Sequence, residues 1–432
     1  MHILIRNGRV LDPANRLDGL LDVRVVDGKI IAVSAGLDTD GGDKVIDADG
    51  LWVAPGLIDL HVHLRDPGLT HKEDIAHGAR GAAAGGFTTI CCMPNTQPVI
   101  DNADTARYVL ETPAAVHVLP VGSMTRGQAG EQLSDILGMA AAGICALSED
   151  GKTVNDTRLA LLAMAEAAAC GLPILSHCED VSLVNGGVVN AGAASERLGL
   201  PGISNISEDI IIARDMLLAR EAGARLHLCH MSTAGSVRLL RAARANGFTV
   251  TGEAAPHHFC LSDEDISDGM DANYKMNPPL RSRHDKEAVL AGLASGVITV
   301  IATDHAPHTE ADKAGGFMQA ANGIVGLETA LGLSLTALVH TGLLTPLACI
   351  EKLTVNPARV LGIPKGTLSV GACADIVLID PGADYTVDKN TFYSKGRNTP
   401  FHGRRLKGRA VYTIVKGHIV MEKGEMTDGT GH

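Results

Sequence analysis

The stretch Leu57-Ile58-Asp59-Leu60-His61-Val62-His63-Leu64 carries three side chains that can hold a metal or move a proton, spaced two residues apart. Alternation along a β-strand would put Asp59, His61 and His63 on one face and Ile58, Leu60, Val62 and Leu64 on the other, toward surrounding helices. Two neutral imidazoles at i and i+2 can share one metal ion, and zinc suits them. Taken alone, such a pair is equally well read as two satisfied polar residues. The same arrangement recurs, however. Asp150 closes the run 142–150, His177 closes 172–177, His230 closes 226–230 and Asp304 closes 297–304. Each singly reads as a cap or a hydrogen-bonded polar residue. Together with His61 and His63 they exceed the four ligands of one catalytic zinc and fit two metals sharing a bridging group.

Such residues need elements that bring them to one place. Between 56 and 364, strand-like runs recur at 57–64, 87–95, 116–124, 143–150, 172–178, 225–231, 248–255 and 297–304. Stretches of helical spacing lie between them, among them Asp156–Cys170, Glu208–Ala222 and Thr233–Asn246. Alternating strands and helices imply right-handed βαβ units and a parallel sheet. Eight strands over this length predict a (β/α)8 TIM barrel, with a doubly wound sheet as the competing fold. A barrel would gather residues from the C-terminal ends of its strands at one mouth. Residues 1–55 and 365–432 read instead as short strands and turn pairs such as Asn7-Gly8, Asp27-Gly28 and Asp49-Gly50. They predict a small composite β-sandwich domain built from both termini, ending in a loose tail from about Met426.

Composition narrows the function. There are 37 Lys and Arg against 49 Asp and Glu, a net charge of −12 that argues against a nucleic-acid binder. No apolar run approaches the ~20 residues of a membrane helix, and the start of the chain has no secretory signal. Nine Cys, an odd number, do not form a disulfide framework. These features predict a cytoplasmic protein with no nucleic-acid or membrane partner.

The stretches GLIDLHVHLRDPG (56–68), MPNT (93–96), SEDG (148–151), SHCED (176–180), CHMST (229–233), APHH (255–258), MNPPLR (276–281) and TDHAPH (303–308) resemble the amidohydrolase superfamily. Within it they are most similar to the bacterial type I dihydroorotases, over essentially the whole chain. The resemblance implies zinc, two ions per chain. His61, His63, Asp150 and Asp304 would hold one, and His177 and His230 the other, with Asp150 bridging. Lys152 does not match the carbamate lysine of the superfamily. The implied substrate contacts are His63, Arg65, Asn95, Asn277, His308 and the backbone around Asn322-Gly323. Metal coordination lowers the pKa of water toward about 7. A water so activated would attack the ring amide of dihydroorotate, with Asp304 as general base and then acid. The reverse direction closes carbamoyl aspartate with loss of water, a step of pyrimidine synthesis. A homo-oligomer is implied, and association with aspartate carbamoyltransferase is open.

Two residues depart from the family pattern. Glu149 replaces Asp, on the strand face opposite Asp150, and Asn322 replaces Phe before Gly323. The rival readings are an allantoinase- or hydantoinase-type cyclic amidohydrolase, and an inactive scaffold of the carbamoyltransferase. Other signals carry less. The Gly-rich run 78–86 reads as a helix end packed on the barrel, and His257-His258 as structural hydrogen bonding. His227 lies, by alternation, on the face opposite His230. Residues 306–323, polar and long, read as a lid that brings His308 inward.

Overall fold

The computed structural model describes residues 2–427. Eight parallel strands form the central sheet: Leu57–Val62, Phe87–Cys92, His117–Ser123, Ala146–Ser148, Pro173–Ser176, Arg225–Leu228, Val250–Ala254 and Val300–Ile301. They pair in sequence order, so each connection is a βα crossover. The first and last strands meet through a parallel bridge between Val62 and His305, and the His63 N–H donates to the His305 carbonyl at 2.8 Å. The sheet is thereby closed into a barrel, as the alternation of runs predicted. The helices follow from local chemistry. Thr157–Ala169, for example, starts where the Asp156 carboxylate accepts from the N–H groups of Arg158 and Leu159. The Gly-rich run lies on the helix Ile75–Ala84 and its end, where a Cβ at Gly78 would sit 2.4 Å from Leu64 Cδ2.

Two apolar clusters separate inside from outside. Ile58, Leu60, Cys91, Val121, Ala146, Leu175, Cys229, Val300 and Ala302 fill the barrel interior. Ala358, Val360 and Leu361 of the last helix, Val355–Leu361, join them at the end where the strands begin. The neighbours of these residues along the strands, such as Ile90, Leu147, Ile174, Leu228 and Ile301, pack outward against the helices. This corrects the expected facing of the first strand: Ile58 and Leu60 point into the barrel. Between the pairs Asp59/Ile90 and Val62/Cys92, the first strand uses one residue more than its partner. That is a β-bulge, which reverses the alternation and lets Leu60 and His61 both serve the interior. Asp59 secures the irregularity, its carboxylate accepting from the N–H groups of His61 (3.1 Å) and Thr303 (3.0 Å).

The chain ends build one nine-stranded, mainly antiparallel sheet. It curls on itself: Gly28 in one hairpin packs against Lys416 and Gly417 in another. Ile3, Ile5, Val23, Val25, Val53, Ile376, Leu378 and Ile414 lie within the curl. The alternate residues Trp52, Ala54, Val377, Ile379 and Val415 face the barrel and join its outer core. Asp27-Gly28 makes the predicted tight turn, but Asn7-Gly8 does not. Asn7, with φ 64°, sits at a bulge inside the long strand His2–Asp12. Of the expected loose tail, Met426 belongs to a short last strand, Glu425–Met426, the Thr427 N–H donates to the Val420 carbonyl at 3.0 Å, and residues 428–432 lie outside the described residues. Among the described residues no helix is long and apolar enough to cross a membrane. All nine cysteines are free.

Candidate active site

His61 sits on the first barrel strand and His63 just beyond it; Asp150, His177, His230 and Asp304 follow the fourth, fifth, sixth and eighth strands. All six are buried and meet at one mouth of the barrel. His61 Nε2 is 3.2 Å from Asp150 Oδ1 and 3.5 Å from Asp304 Oδ1. His63 Nε2 is 3.4 Å from both Asp150 Oδ2 and Asp304 Oδ1. His177 Nδ1 and His230 Nε2 lie 3.0 Å apart, each 3.7 Å from Asp150 Oδ1. Asp150 therefore belongs to both groups, His61–His63–Asp150 and Asp150–His177–His230.

The tautomers make this arrangement informative. His61 Nδ1 faces Glu253 Oε1 at 3.3 Å and His63 Nδ1 faces Asn95 Oδ1 at 2.9 Å, so each ring donates its proton away from the mouth. In the neutral rings both Nε2 lone pairs then point at carboxylate oxygens. Lone pair against anion is repulsive unless a cation lies between them. His61 Nε2, Asp150 Oδ1, His177 Nε2 and His230 Nδ1 are buried without a hydrogen-bond partner, a rare condition for native polar atoms. Burial opposes charge on His61, yet Asp150, with Cys229 and Glu253, outweighs it and raises the imidazole well above its usual pKa. Burial likewise works against ionised Asp304, but His63 and the other imidazoles hold it far below the usual carboxylate range. The cluster is a nitrogen and oxygen donor set seeking positive charge, and it fits a divalent metal such as zinc.

A second group lies beside it. Arg65 is half-buried, and its Nε donates to the Pro307 carbonyl at 3.3 Å. Its Nη2 is 3.4 Å from His308 Nε2, which itself meets the Asn322 carbonyl at 2.8 Å. Burial and the neighbouring Arg65 charge push the His308 pKa down to about 3, so the ring is neutral. Among the described residues no carboxylate pairs with the Arg65 guanidinium. A partly buried cation so placed offers a fork of donors to an anion. Asn277 donates to Glu179 Oε2 at 3.0 Å, and Glu179 lies 3.6 Å from His177 Nε2. Gly323 is buried, whereas the Asn322 side chain is exposed, so only the backbone of Asn322 meets the site.

A family model described as "Dihydro-orotase-like" matches residues 50–236. The dihydroorotase of Pelotomaculum thermopropionicum is 52% identical over 424 residues, 98% of this chain and 99% of that protein. The chain belongs to the dihydroorotase family. The dihydroorotase of Geobacter sp. (strain M21) is 49% identical over 427 residues, covering 98% of this chain and all of that protein. Among solved structures, the L-hydantoinase (dihydropyrimidinase) of Arthrobacter aurescens superposes with a TM-score of 0.88 at 28% identity, covering 98% of this chain and 97% of that one. The fold is thus shared with ring hydrolases outside the dihydroorotases.

Several participants escaped sequence reasoning. Glu253 contacts His61, the His230 N–H (3.3 Å) and His227 Nε2 (2.9 Å). His227 is therefore inside the barrel, below the cluster, and it is His230 that leaves the strand's alternation, with φ 31°. Arg65 and Asp304 share this left-handed conformation, at φ 59° and 51°. Glu149 faces away from the mouth, as expected, and accepts from the N–H groups of Met124 and Thr125, both at 3.1 Å. His258 pairs with the Pro278 carbonyl at 3.0 Å, but His257 Nε2 has no partner, so only one of the two matches the structural role expected of both. Residues 306–323 are not a structureless lid. They contain the short helices Glu310–Lys313 and Gly316–Gln319, and His308 already faces Arg65.

Proposed function

We propose that this protein is a zinc-dependent dihydroorotase, closing N-carbamoyl-L-aspartate to L-dihydroorotate and reopening it, in pyrimidine synthesis. The observation that carries the reading is the Arg65 guanidinium, without a carboxylate partner among the described residues, beside the His/Asp cluster: the substrate has a carboxylate on a cyclic amide, and these are its two complements. His61, His63, Asp150 and Asp304 would hold one zinc, and Asp150, His177 and His230 a second, with Asp150 common to both. Bound zinc would lower the pKa of a water and polarise the ring carbonyl.

The protein's own groups supply the rest. Asp304, held ionised at neutral pH, accepts the proton of the attacking water and passes it to the departing ring nitrogen. Glu253 and Asn95 fix the tautomers of His61 and His63. Arg65 holds the substrate carboxylate with neutral His308 beside it, and Asn277 and the Asn322-Gly323 backbone border the ring. Asn322 in place of Phe is tolerable in this reading because its side chain is exposed.

The test is ring opening by purified, zinc-loaded protein of dihydroorotate, hydantoin and allantoin in parallel, with a chelated control. Chelator-sensitive turnover of dihydroorotate alone is expected. Turnover of another ring alone would overturn the substrate assignment, and turnover of none would favour a non-catalytic role.

A further inference from the structure

We infer that Asn398, contributed by the C-terminal part of the chain, is a positioning residue that locks together the two backbone limbs forming the carboxylate side of the site. This rests on the reading of His308 and Gly323 as substrate contacts. Asn398 is 4% exposed and precedes, along the chain, the strand Arg405–Val415 of the sheet built by the chain ends. Its Oδ1 accepts from the His308 N–H at 3.0 Å, and its Nδ2 donates to the carbonyls of Ala306 at 2.9 Å and Gly323 at 3.0 Å. Its own carbonyl accepts from the Val325 N–H at 3.0 Å. A carboxamide has one acceptor oxygen and two N–H donors, and here each is used with the correct polarity.

The partners define what is being held. Ala306 and His308 leave the eighth strand, whereas Gly323 and Val325 return toward the barrel. The limbs are so close that a Cβ on Gly323, at φ 119°, would lie 2.5 Å from Ala306 Cβ. Lys313 adds a second grip on the returning limb, donating to the carbonyls of Ala321 (2.8 Å) and Gly323 (3.0 Å) and to Lys275 (3.1 Å). The outgoing limb also carries Pro307, whose carbonyl anchors Arg65, and His308, whose ring meets Asn322. One buried side chain thus fixes the supports of Arg65 and His308 together, with no hydrogen bond to the His/Asp cluster. Aspartate would set an oxygen against two carbonyls, and alanine would leave the His308 N–H and the Ala306 carbonyl without a partner and the Gly323 carbonyl with Lys313 alone.

The experiment compares Asn398→Ala and Asn398→Asp with the wild type in steady-state kinetics on dihydroorotate, zinc content and hydrogen exchange over residues 306–325. The expected result is a KM raised roughly ten- to a hundredfold with kcat within about threefold, unchanged zinc content and faster exchange in that segment. Unchanged KM and exchange in a folded variant would overturn the inference. So would loss of zinc or a fall in kcat without a KM effect, which would place Asn398 under the metal cluster. Failure of both variants to fold would make it a residue of the fold alone, equally against the proposal. If the wild type does not act on dihydroorotate, the functional reading fails separately, and exchange alone decides whether Asn398 holds the limbs.

Discussion

Replacing Glu253 by Gln should weaken zinc binding although Glu253 is not in the proposed ligand set. Its carboxylate is 1% exposed and serves three partners: His61 Nδ1 at 3.3 Å, the His230 N–H at 3.3 Å and His227 Nε2 at 2.9 Å. Burial opposes its charge, but the bonds from His227 and His61 outweigh it and hold the pKa at about 2. Gln keeps the shape but offers a single oxygen, and its NH2 must face one former donor. The loss is that of one charge-assisted hydrogen bond, about 1.5–3 kcal/mol. At 1.4 kcal/mol per factor of ten, that is roughly a ten- to hundredfold loss of affinity, the range typical of residues that orient metal-bound histidines. The assay titrates zinc into chelator-stripped protein against a chromophoric competitor, with circular dichroism to establish the fold. The bond to His61 Nδ1 would then be a neutral one, so the site using His61 and His63 should weaken most. A folded Glu253→Gln protein with wild-type zinc affinity would refute the reasoning.

Arg65→Lys should raise KM for dihydroorotate by roughly ten- to a hundredfold at unchanged zinc content, since a point charge replaces a two-pronged donor. Steady-state kinetics with metal analysis checks this, and an unaltered KM would remove Arg65 from carboxylate binding. Asp304→Asn keeps a coordinating oxygen but loses the proton acceptor, so zinc should remain while kcat falls by about 10²–10⁴; near-normal turnover would reject the assigned role. Burial and the nearby Lys275 charge lower the Lys313 pKa to about 7. Above that pH its amine has two donors for three carbonyls, so KM should climb from pH 7 to 9 in the wild type. In Lys313→Met it should be high already at pH 6 and not climb further. The same shift makes this group's contribution to stability grow with pH from about 7 to its unfolded value of 10.5, a slope that denaturant titrations of Lys313→Met should lack.

The barrel and its mouth were legible because both follow from short-range rules. A parallel strand buried on both sides must be apolar for several residues, and a polar residue at its end marks the point where it meets the mouth. Hence all eight strands, and the gathering of His61, His63, Asp150, His177, His230 and Asp304, could be read from runs and their last residues. The residues that orient them had no such mark. Glu253 sits within a strand, and a lone acid in Val-Thr-Gly-Glu-Ala gives no sign that it touches His61, 192 positions away. Asn398 lies in a turn-rich segment where Asn is commonplace, and its partners 306 and 323 are 92 and 75 positions distant. Contacts at that separation are set by how the barrel closes, not by any local pattern.

Alternation itself failed where it mattered most, on the first strand through the bulge between Asp59 and Val62 and on the sixth through a turn of the backbone. A strict period of two along the sixth strand sends His227 and Cys229 into the barrel and His230 out of it. His230 reaches the cluster because its backbone turns left-handed, and Arg65 and Asp304 do likewise at the ends of other strands. Non-glycine residues in this region cost about 1–3 kcal/mol each and persist only where surroundings over-determine them. Here the surroundings are visible. Glu253 accepts the His230 N–H at 3.3 Å, and the Pro307 carbonyl accepts Arg65 Nε at 3.3 Å. On either side of Asp304, Asp59 accepts the Thr303 N–H at 3.0 Å and Thr303 Oγ1 accepts the His305 N–H at 3.0 Å. Strain and support therefore lie at the same three strand ends. Asp150 and His177 reach the cluster from ordinary backbone, whereas at these three ends it is the supported departure from a regular strand that aims the side chain.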